Sequence, residues 1–146
     1  MSDTADLIKL YSTRILALAA DIPHLGRLED PQATVKKRSP LCGSTVTVDL
    51  DMVDGKVTRF AQDVKACALG QAAAAILGQS VLGRTTAELE RAAAQLAAML
   101  KSDGDTPDAP FEGFEILLPA RDFKNRHASV LLAIQAAAEA ARHAET

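Results

Sequence analysis

The fold is decided by one stretch, residues 45–64, which reads TVTVDLDMVDGKVTRFAQDV. Apolar and polar residues alternate along its first nine positions, and this period of two is typical of a half-buried strand. Asp54-Gly55 follows, a strong signal for a two-residue hairpin turn. Val57, Phe60 and Val64 then return on the partner strand. The stretch therefore predicts an antiparallel hairpin with strands over 45–53 and 56–64.

Helices are predicted on both sides of this hairpin. Apolar residues at helical spacing predict a first helix over 5–20, and a small-residue helix is expected over 68–79. Thr85 and Glu88 fit a capping box that opens a helix reaching Lys101. The last helix begins between 121 and 124 and runs to about 143.

The connecting segments are polar. Residues 21–44 read as irregular apart from a short edge strand over 33–38, whose Lys36-Lys37-Arg38 run suits an exposed sheet edge. Residues 102–118 read as an acidic Gly/Pro loop at the solvated surface. Its five acids are Asp103, Asp105, Asp108, Glu112 and Glu115.

The order of these elements indicates an α+β fold. We expect one domain over residues 1–146, with a small antiparallel sheet of two to three strands and helices packed on one face. The 28 alanines among the 146 residues favour closely packed helices.

Composition excludes several classes of function. Two cysteines cannot make a disulfide-dense secreted scaffold. The sequence contains no run of 18 or more apolar residues, so no membrane span is predicted. The net charge of −3 argues against nucleic acid as the main partner. The N-terminus lacks a signal-peptide pattern, so we expect a cytoplasmic protein.

The two cysteines flank the hairpin symmetrically. Cys42 lies 12 residues before the turn and Cys67 lies 12 after it, so antiparallel pairing brings both to the same end of the sheet. Cys67 also stands where a helix begins, which lowers a thiol pKa, and Lys65 is expected to help. Each cysteine is either a small buried apolar residue or a sulfur or metal site. A disulfide between them is disfavoured in a reducing compartment.

His127 lies near the start of the last helix, on its apolar stripe. One interpretation is a core histidine with satisfied hydrogen bonds. The other is a metal ligand, because two thiolates and one imidazole suit zinc or an iron–sulfur cluster. The spacing of the three residues is far from a compact CxxC pattern and does not choose between them.

A family resemblance rests on these residues. Ser39-Pro40-Leu41-Cys42-Gly43-Ser44, the Asp54-Gly55 hairpin, Cys67-Ala68 with its alanine-rich helix, and Gly83-Arg84-Thr85 resemble the iron–sulfur cluster assembly scaffolds IscU, NifU (its N-terminal domain) and SufU. Pro119-Ala120-Arg121 is similar to the family's Pro-x-Arg segment. The resemblance covers roughly residues 30–140, and the long loop before the last helix is most similar to the SufU branch.

The resemblance implies a ligand set. Cys42 and Cys67 match the family's first two cysteine ligands. The position of the third cysteine falls on His127 or Ala128, so His127 is the candidate replacement ligand.

The residues around the ligands depart from the family's pattern. Ser44 stands where the family has an aspartate after Cys-Gly, and Ala66 stands where it has a glycine. With Lys65 and Arg126, Ser44 is expected to surround the ligands without binding the metal.

The implied function is a non-enzymatic scaffold that holds a transient iron–sulfur cluster. Its expected partners are a cysteine desulfurase and recipient apo-proteins, and a second subunit of a homodimer could complete the ligand set. The resemblance leaves two alternatives: a zinc-dependent sulfurtransferase of the SufU type, and a metal-free adaptor of the same fold.

Overall fold

The structure is a computed structural model that describes residues 12–40 and 43–145. Within these ranges, three antiparallel strands form a sheet in the order β1–β2–β3. The strands are β1 (Ala33–Arg38), β2 (Thr45–Val53) and β3 (Lys56–Lys65). The helices are α1 (Thr13–Ala19), α2 (Ala68–Ser80), α3 (Thr86–Lys101), a 3₁₀ helix (Glu112–Asp122) and α4 (Lys124–Glu145). The predicted α+β class and antiparallel sheet are confirmed.

The hairpin forms as the sequence predicts. Asp54 and Gly55 both have positive φ, 53° and 76°, as a type I′ turn requires. Val53 pairs with Lys56 next to the turn, and Thr45 pairs with Lys65 at the far end. This register sets which residues of β1, β2 and β3 share a face.

One face of the sheet is covered by α4. Val46, Val48 and Leu50 on β2 are 0–1% exposed, and α4 packs across β1 and β2. Alanines fill the buried side of α4, and their small side chains let the helix lie close to the sheet. In the part of the chain that the structure describes, no helix is both long and apolar enough to cross a bilayer.

Two predicted helix starts can be compared with the structure. Thr85 Oγ1 accepts a hydrogen bond from Glu88 N, and Glu88 Oε1 accepts one from Thr85 N, so the capping box of α3 is confirmed. The helix predicted over 5–20 is described from Thr13, with Ser12 as its N-cap. Residues 5–11 of that prediction lie outside the described residues.

The loop predicted over 102–118 is wrong in its second half, where the 3₁₀ helix begins. Phe111, Phe114, Leu117 and Ala120 are 0–2% exposed and recur every three residues. That spacing matches the three residues per turn of a 3₁₀ helix, so one side of it is buried. The five acids of the segment are exposed, as expected.

A buried carboxylate anchors the segment before β1 to the outer face of the sheet. Asp49 is 0% exposed and accepts hydrogen bonds from Arg27 Nε (2.6 Å), Thr34 Oγ1 (2.6 Å) and Leu28 N (3.1 Å). Burial raises the pKa of Asp49, but these hydrogen bonds outweigh burial and lower it below its ordinary value.

We expect Asp49→Ala to lower the free energy of unfolding by about 2 kcal/mol, because Arg27, Thr34 and Leu28 lose the buried carboxylate to which they donate. Asp108→Ala, which removes an exposed carboxylate bonded to Arg91 and Gln95, is the matched control and should cost less than about 1 kcal/mol. Urea unfolding at pH 7 measures both. Because the folded-state pKa of Asp49 is depressed, its contribution is complete at neutral pH and is lost as the pH falls below about 4. A difference between wild type and Asp49→Ala that grew on acidification would contradict this assignment.

Candidate functional site

The β1–β2 loop and the β3–α2 junction meet at one end of the sheet. Ser39 N donates to Ser44 O (2.8 Å) and Gly43 N donates to Ser39 O (2.9 Å), which closes the loop tightly. Because Thr45 pairs with Lys65, this loop lies at the same end as Cys67. Cys42 itself lies outside the described residues, so its position relative to Cys67 stays a prediction.

A row of three side chains connects Cys67 to the β1–β2 loop. Cys67 is half-buried and is the N-cap residue of α2. Its Sγ lies 3.4 Å from Ser129 Oγ on α4, and Ser129 Oγ donates to Ser44 Oγ at 3.1 Å. Both serines are at most 3% exposed. The thiol is therefore backed by two buried hydroxyl groups instead of a charged side chain.

The surroundings of Cys67 favour its thiolate. Burial raises the pKa of the thiol, but Ser129, the backbone N–H groups of Gly70 and Leu69, and the positive charge of Arg126 together lower it below its ordinary value. The lowered pKa expected from the helix N-terminus is thus confirmed. The cation that contributes is Arg126 on α4, whereas Lys65 is exposed at the end of β3.

Gly70 allows this arrangement. A Cβ atom there would lie 2.7 Å from Ser129 Oγ and 2.8 Å from Ala66 Cβ. Both separations are shorter than van der Waals contact, so a larger residue would push α2 and α4 apart. The close approach of these helices brings Ser129 within reach of Cys67.

His127 is engaged elsewhere. It is 5% exposed, and its Nε2 lies 3.1 Å from Ala120 O and 2.9 Å from Arg121 O. Carbonyl oxygens only accept hydrogen bonds, so Nε2 carries the ring proton. In the neutral ring, Nδ1 then holds the free lone pair.

Helix geometry places His127 and Ser129 on different sides of α4. Residues two apart on an α-helix are separated by about 200° around the helix axis. Because Ser129 faces Cys67, His127 faces away from it. His127 lines a cavity of about 480 Å³ between α3, the 3₁₀ helix and α4. Among the described residues, no group of three His, Cys, Asp or Glu side chains is placed to hold a metal ion. A shared metal on Cys42, Cys67 and His127 stays a prediction.

Ser129 is the site residue that the sequence reasoning missed. It lies two residues after His127, but its position in the sequence indicates no role. One feature of the sequence points to Ser129: it is three residues from Arg126, so the two share a face of α4. A polar residue followed by a long apolar run is a candidate for a buried hydrogen bond.

Comparisons with known proteins give one strong match. A crystal structure described as a nitrogen-fixing NifU-like protein (N-terminal) from Brucella abortus is 44% identical, with a TM-score of 0.93 over 96% of this chain and 97% of that one. A candidate iron–sulfur cluster assembly scaffold protein for the SUF system, from the thermophile Fervidobacterium islandicum AW-1, is 17% identical. Its TM-score is 0.80 over 92% of this chain and 98% of its own, which shows a shared fold.

A hypothetical protein solved at 2.3 Å resolution shares the fold as well, with 21% identity and a TM-score of 0.79 over 92% of this chain and 98% of that one. No protein-family model matches the chain, and no curated protein matches it.

Ser129→Ala should slow alkylation of Cys67 by iodoacetamide severalfold at pH 7, because the thiolate loses a hydrogen-bond donor. The two rates should converge at alkaline pH, where Cys67 is ionised in wild type and variant alike. The measurement uses a Cys42→Ser background, so that only Cys67 reacts. Ser102→Ala, at the exposed C-terminus of α3, is the matched control. An unchanged pH profile in Ser129→Ala would show that Ser129 does not act on the thiolate.

Proposed function

Because the chain belongs to the family of NifU-like N-terminal domains and SufU scaffolds, we propose that it binds a nascent iron–sulfur cluster on Cys42 and Cys67 and passes it to recipient apo-proteins. The 44% identity to the NifU-like protein over nearly the whole chain carries this proposal. The activated thiol of Cys67 supports it, because a thiolate is the form that binds iron and sulfur.

Sulfur is proposed to arrive as a persulfide on a cysteine desulfurase. A thiolate of this chain attacks the outer sulfur, the donor's S–S bond breaks, and the donor cysteine leaves as a thiolate. The accepting cysteine then carries the persulfide, and no net oxidation occurs. The Ser129 hydroxyl lies 3.4 Å from Cys67 Sγ. By turning its single proton from Ser44 Oγ to the sulfur, it can donate to whichever sulfur anion forms there, and Ser44 Oγ can then donate to Ser129 Oγ.

The donors at this end fit a cluster that is held briefly. The described residues contribute one thiolate, Cys67, and Cys42 is proposed as the second ligand. Ser44 and Ser129 present neutral hydroxyl groups, which bind iron more weakly than thiolates do. A ligand set short of four cysteines per chain is consistent with release to a recipient, or with completion by a second copy of the chain.

His127 is proposed as a third ligand through Nδ1. The carbonyl oxygens of Ala120 and Arg121 hold the proton on Nε2. A histidine that binds a metal through one ring nitrogen usually donates the N–H of the other to an oxygen in this way. To reach a metal on Cys67, the first turn of α4 would have to rotate. The competing interpretation is a purely structural histidine.

The proposal is tested by purifying the protein without oxygen, measuring bound iron, sulfide and zinc, and reconstituting it with ferrous iron and sulfide. We expect visible cluster absorbance in wild type and its loss in Cys42→Ser and in Cys67→Ser, with Ser102→Ala as the control. Stoichiometric zinc without cluster absorbance would overturn the scaffold in favour of a zinc-dependent sulfurtransferase. No metal at all, and a melting temperature insensitive to EDTA, would identify a metal-free adaptor.

His127→Ala separates the two interpretations of that residue in the same assay. As a ligand, His127 should be needed for cluster absorbance per folded molecule. As a structural residue, its loss should lower the melting temperature of the metal-free protein and leave absorbance per folded molecule unchanged, because two buried carbonyls lose their donor.

A further inference from the structure

The outer face of the sheet, opposite α4, divides into two halves. In the half near the hairpin turn, the segment before β1 lies against Asp49, and Leu28 N and Arg27 bond to that carboxylate. The half near Cys67 consists of two rows of paired residues. They are Arg38–Thr45–Lys65 at the end of the sheet and Lys36–Thr47–Asp63 one step inward. Residues paired across strands share a face, so all six lie on the outer side.

The half-face near Cys67 is basic and open. Lys36, Arg38 and Lys65 are exposed, while Asp63 is the one acid in the two rows. Strands lie about 4.8 Å apart and alternate residues about 6.7 Å apart, so the three cations fit within a patch of about 7 by 10 Å. We call these three residues the basic half-face.

The cations of the two halves differ in whether they form ion pairs. Near the turn, Arg27 pairs with Asp49 and Arg59 pairs with Asp51. Among the described ion pairs, none involves Lys36, Arg38 or Lys65. Three neighbouring cations against one acid, Asp63, leave this half-face with a net positive charge, and it stands on a chain whose net charge is −3. Such a patch attracts an acidic surface and orients it.

The basic half-face adjoins the reactive thiol. Lys65 ends β3 two residues before Cys67, and Arg38 lies in the same row, two strands away. Cys67 Sγ itself faces Ser129 on α4, so a protein that brings sulfur to it approaches the end of the sheet whose outer row carries Arg38 and Lys65.

We propose that the basic half-face is the docking surface for an acidic patch on the sulfur-donating protein, and this rests on the proposed function. The patch orients the donor so that its persulfide faces Cys67, and it takes no part in the chemistry. Nucleic acid fits it less well, because the six residues of the two rows include no aromatic side chain to stack on bases and only three cations.

The test compares two charge-reversed proteins with equal net charge. One is K36E/R38E/K65E. The control is R14E/K56E/K101E, whose three bases are also exposed and have no ion pair among the described residues. Binding to the cysteine desulfurase of the same organism is measured by calorimetry at 50 and 300 mM salt. We expect the half-face variant to bind at least about tenfold more weakly at low salt, the control to bind within about twofold of wild type, and salt to weaken wild type most.

Two further variants separate docking from chemistry and from folding. Cys42→Ser/Cys67→Ser should bind the desulfurase like wild type although it cannot hold a cluster. The neutralised variant K36Q/R38Q/K65Q, checked by circular dichroism, should reconstitute a cluster with free sulfide but bind the desulfurase weakly. Wild-type affinity in K36E/R38E/K65E would overturn the docking surface and leave the scaffold proposal standing.

A second probe covers the case in which no desulfurase binds, which would count against the proposed function. Titration of ¹⁵N-labelled protein with hexaglutamate should shift the amides of Lys36, Arg38 and Lys65 more than those of Arg14, Lys56 and Lys101. Equal shifts at both sets, or tighter binding of a DNA 20-mer than of hexaglutamate, would overturn an acidic protein as the partner of this face.

Discussion

The close approach of α2 and α4 is the constraint on which the candidate site depends. Gly70 has no side chain, and a Cβ there would lie only 2.7 Å from Ser129 Oγ. The missing atom lets Ser129 reach the N-terminus of α2, where it contacts Cys67 on one side and Ser44 on the other. One contact between small residues therefore joins the β1–β2 loop, the last helix and the reactive thiol. Tight packing of this kind transmits any change in volume directly to the site.

The polar groups behind Cys67 are neutral, and this has an electrostatic consequence. Ser44 occupies the position where the resembling scaffolds have an aspartate. A buried carboxylate beside the thiol would raise the thiol pKa through repulsion between like charges. Two hydroxyl groups exert no such repulsion, and each can rotate to donate or to accept a hydrogen bond. The thiolate is thereby stabilised by Ser129 and by the helix N-terminus, with Arg126 as the nearby positive charge.

The two faces of the sheet differ in how they are covered. Its inner face is buried under α4, and half of its outer face is tied down by the buried carboxylate of Asp49. Among the described residues, the half of the outer face beside Cys67 carries three exposed cations, Lys36, Arg38 and Lys65, and one acid, Asp63. This half lies at the end of the sheet that holds Cys67, where we propose that the sulfur donor docks.

Local patterns in the sequence determined much of this architecture. The hairpin, the edge strand, the capping box of α3 and the placement of Cys67 at a helix start follow from side-chain periodicity and turn chemistry within a few residues. The 3₁₀ helix was missed although Phe111, Phe114, Leu117 and Ala120 carry its period of three, because turn-forming and acidic residues in the same segment favoured a loop.

The tertiary structure alone decided the rest. Ser129 meets Cys67 across 62 residues and Ser44 across 85, and contacts so distant along the chain leave no local pattern. The orientation of His127 also depends on tertiary packing. Its position in the sequence predicts that it lies on the apolar stripe of α4. The 3₁₀ helix packed against that stripe supplies the carbonyls that hold its Nε2. Sequence periodicity assigns a residue to a face of its own helix, and only the packing of elements determines which groups that face meets.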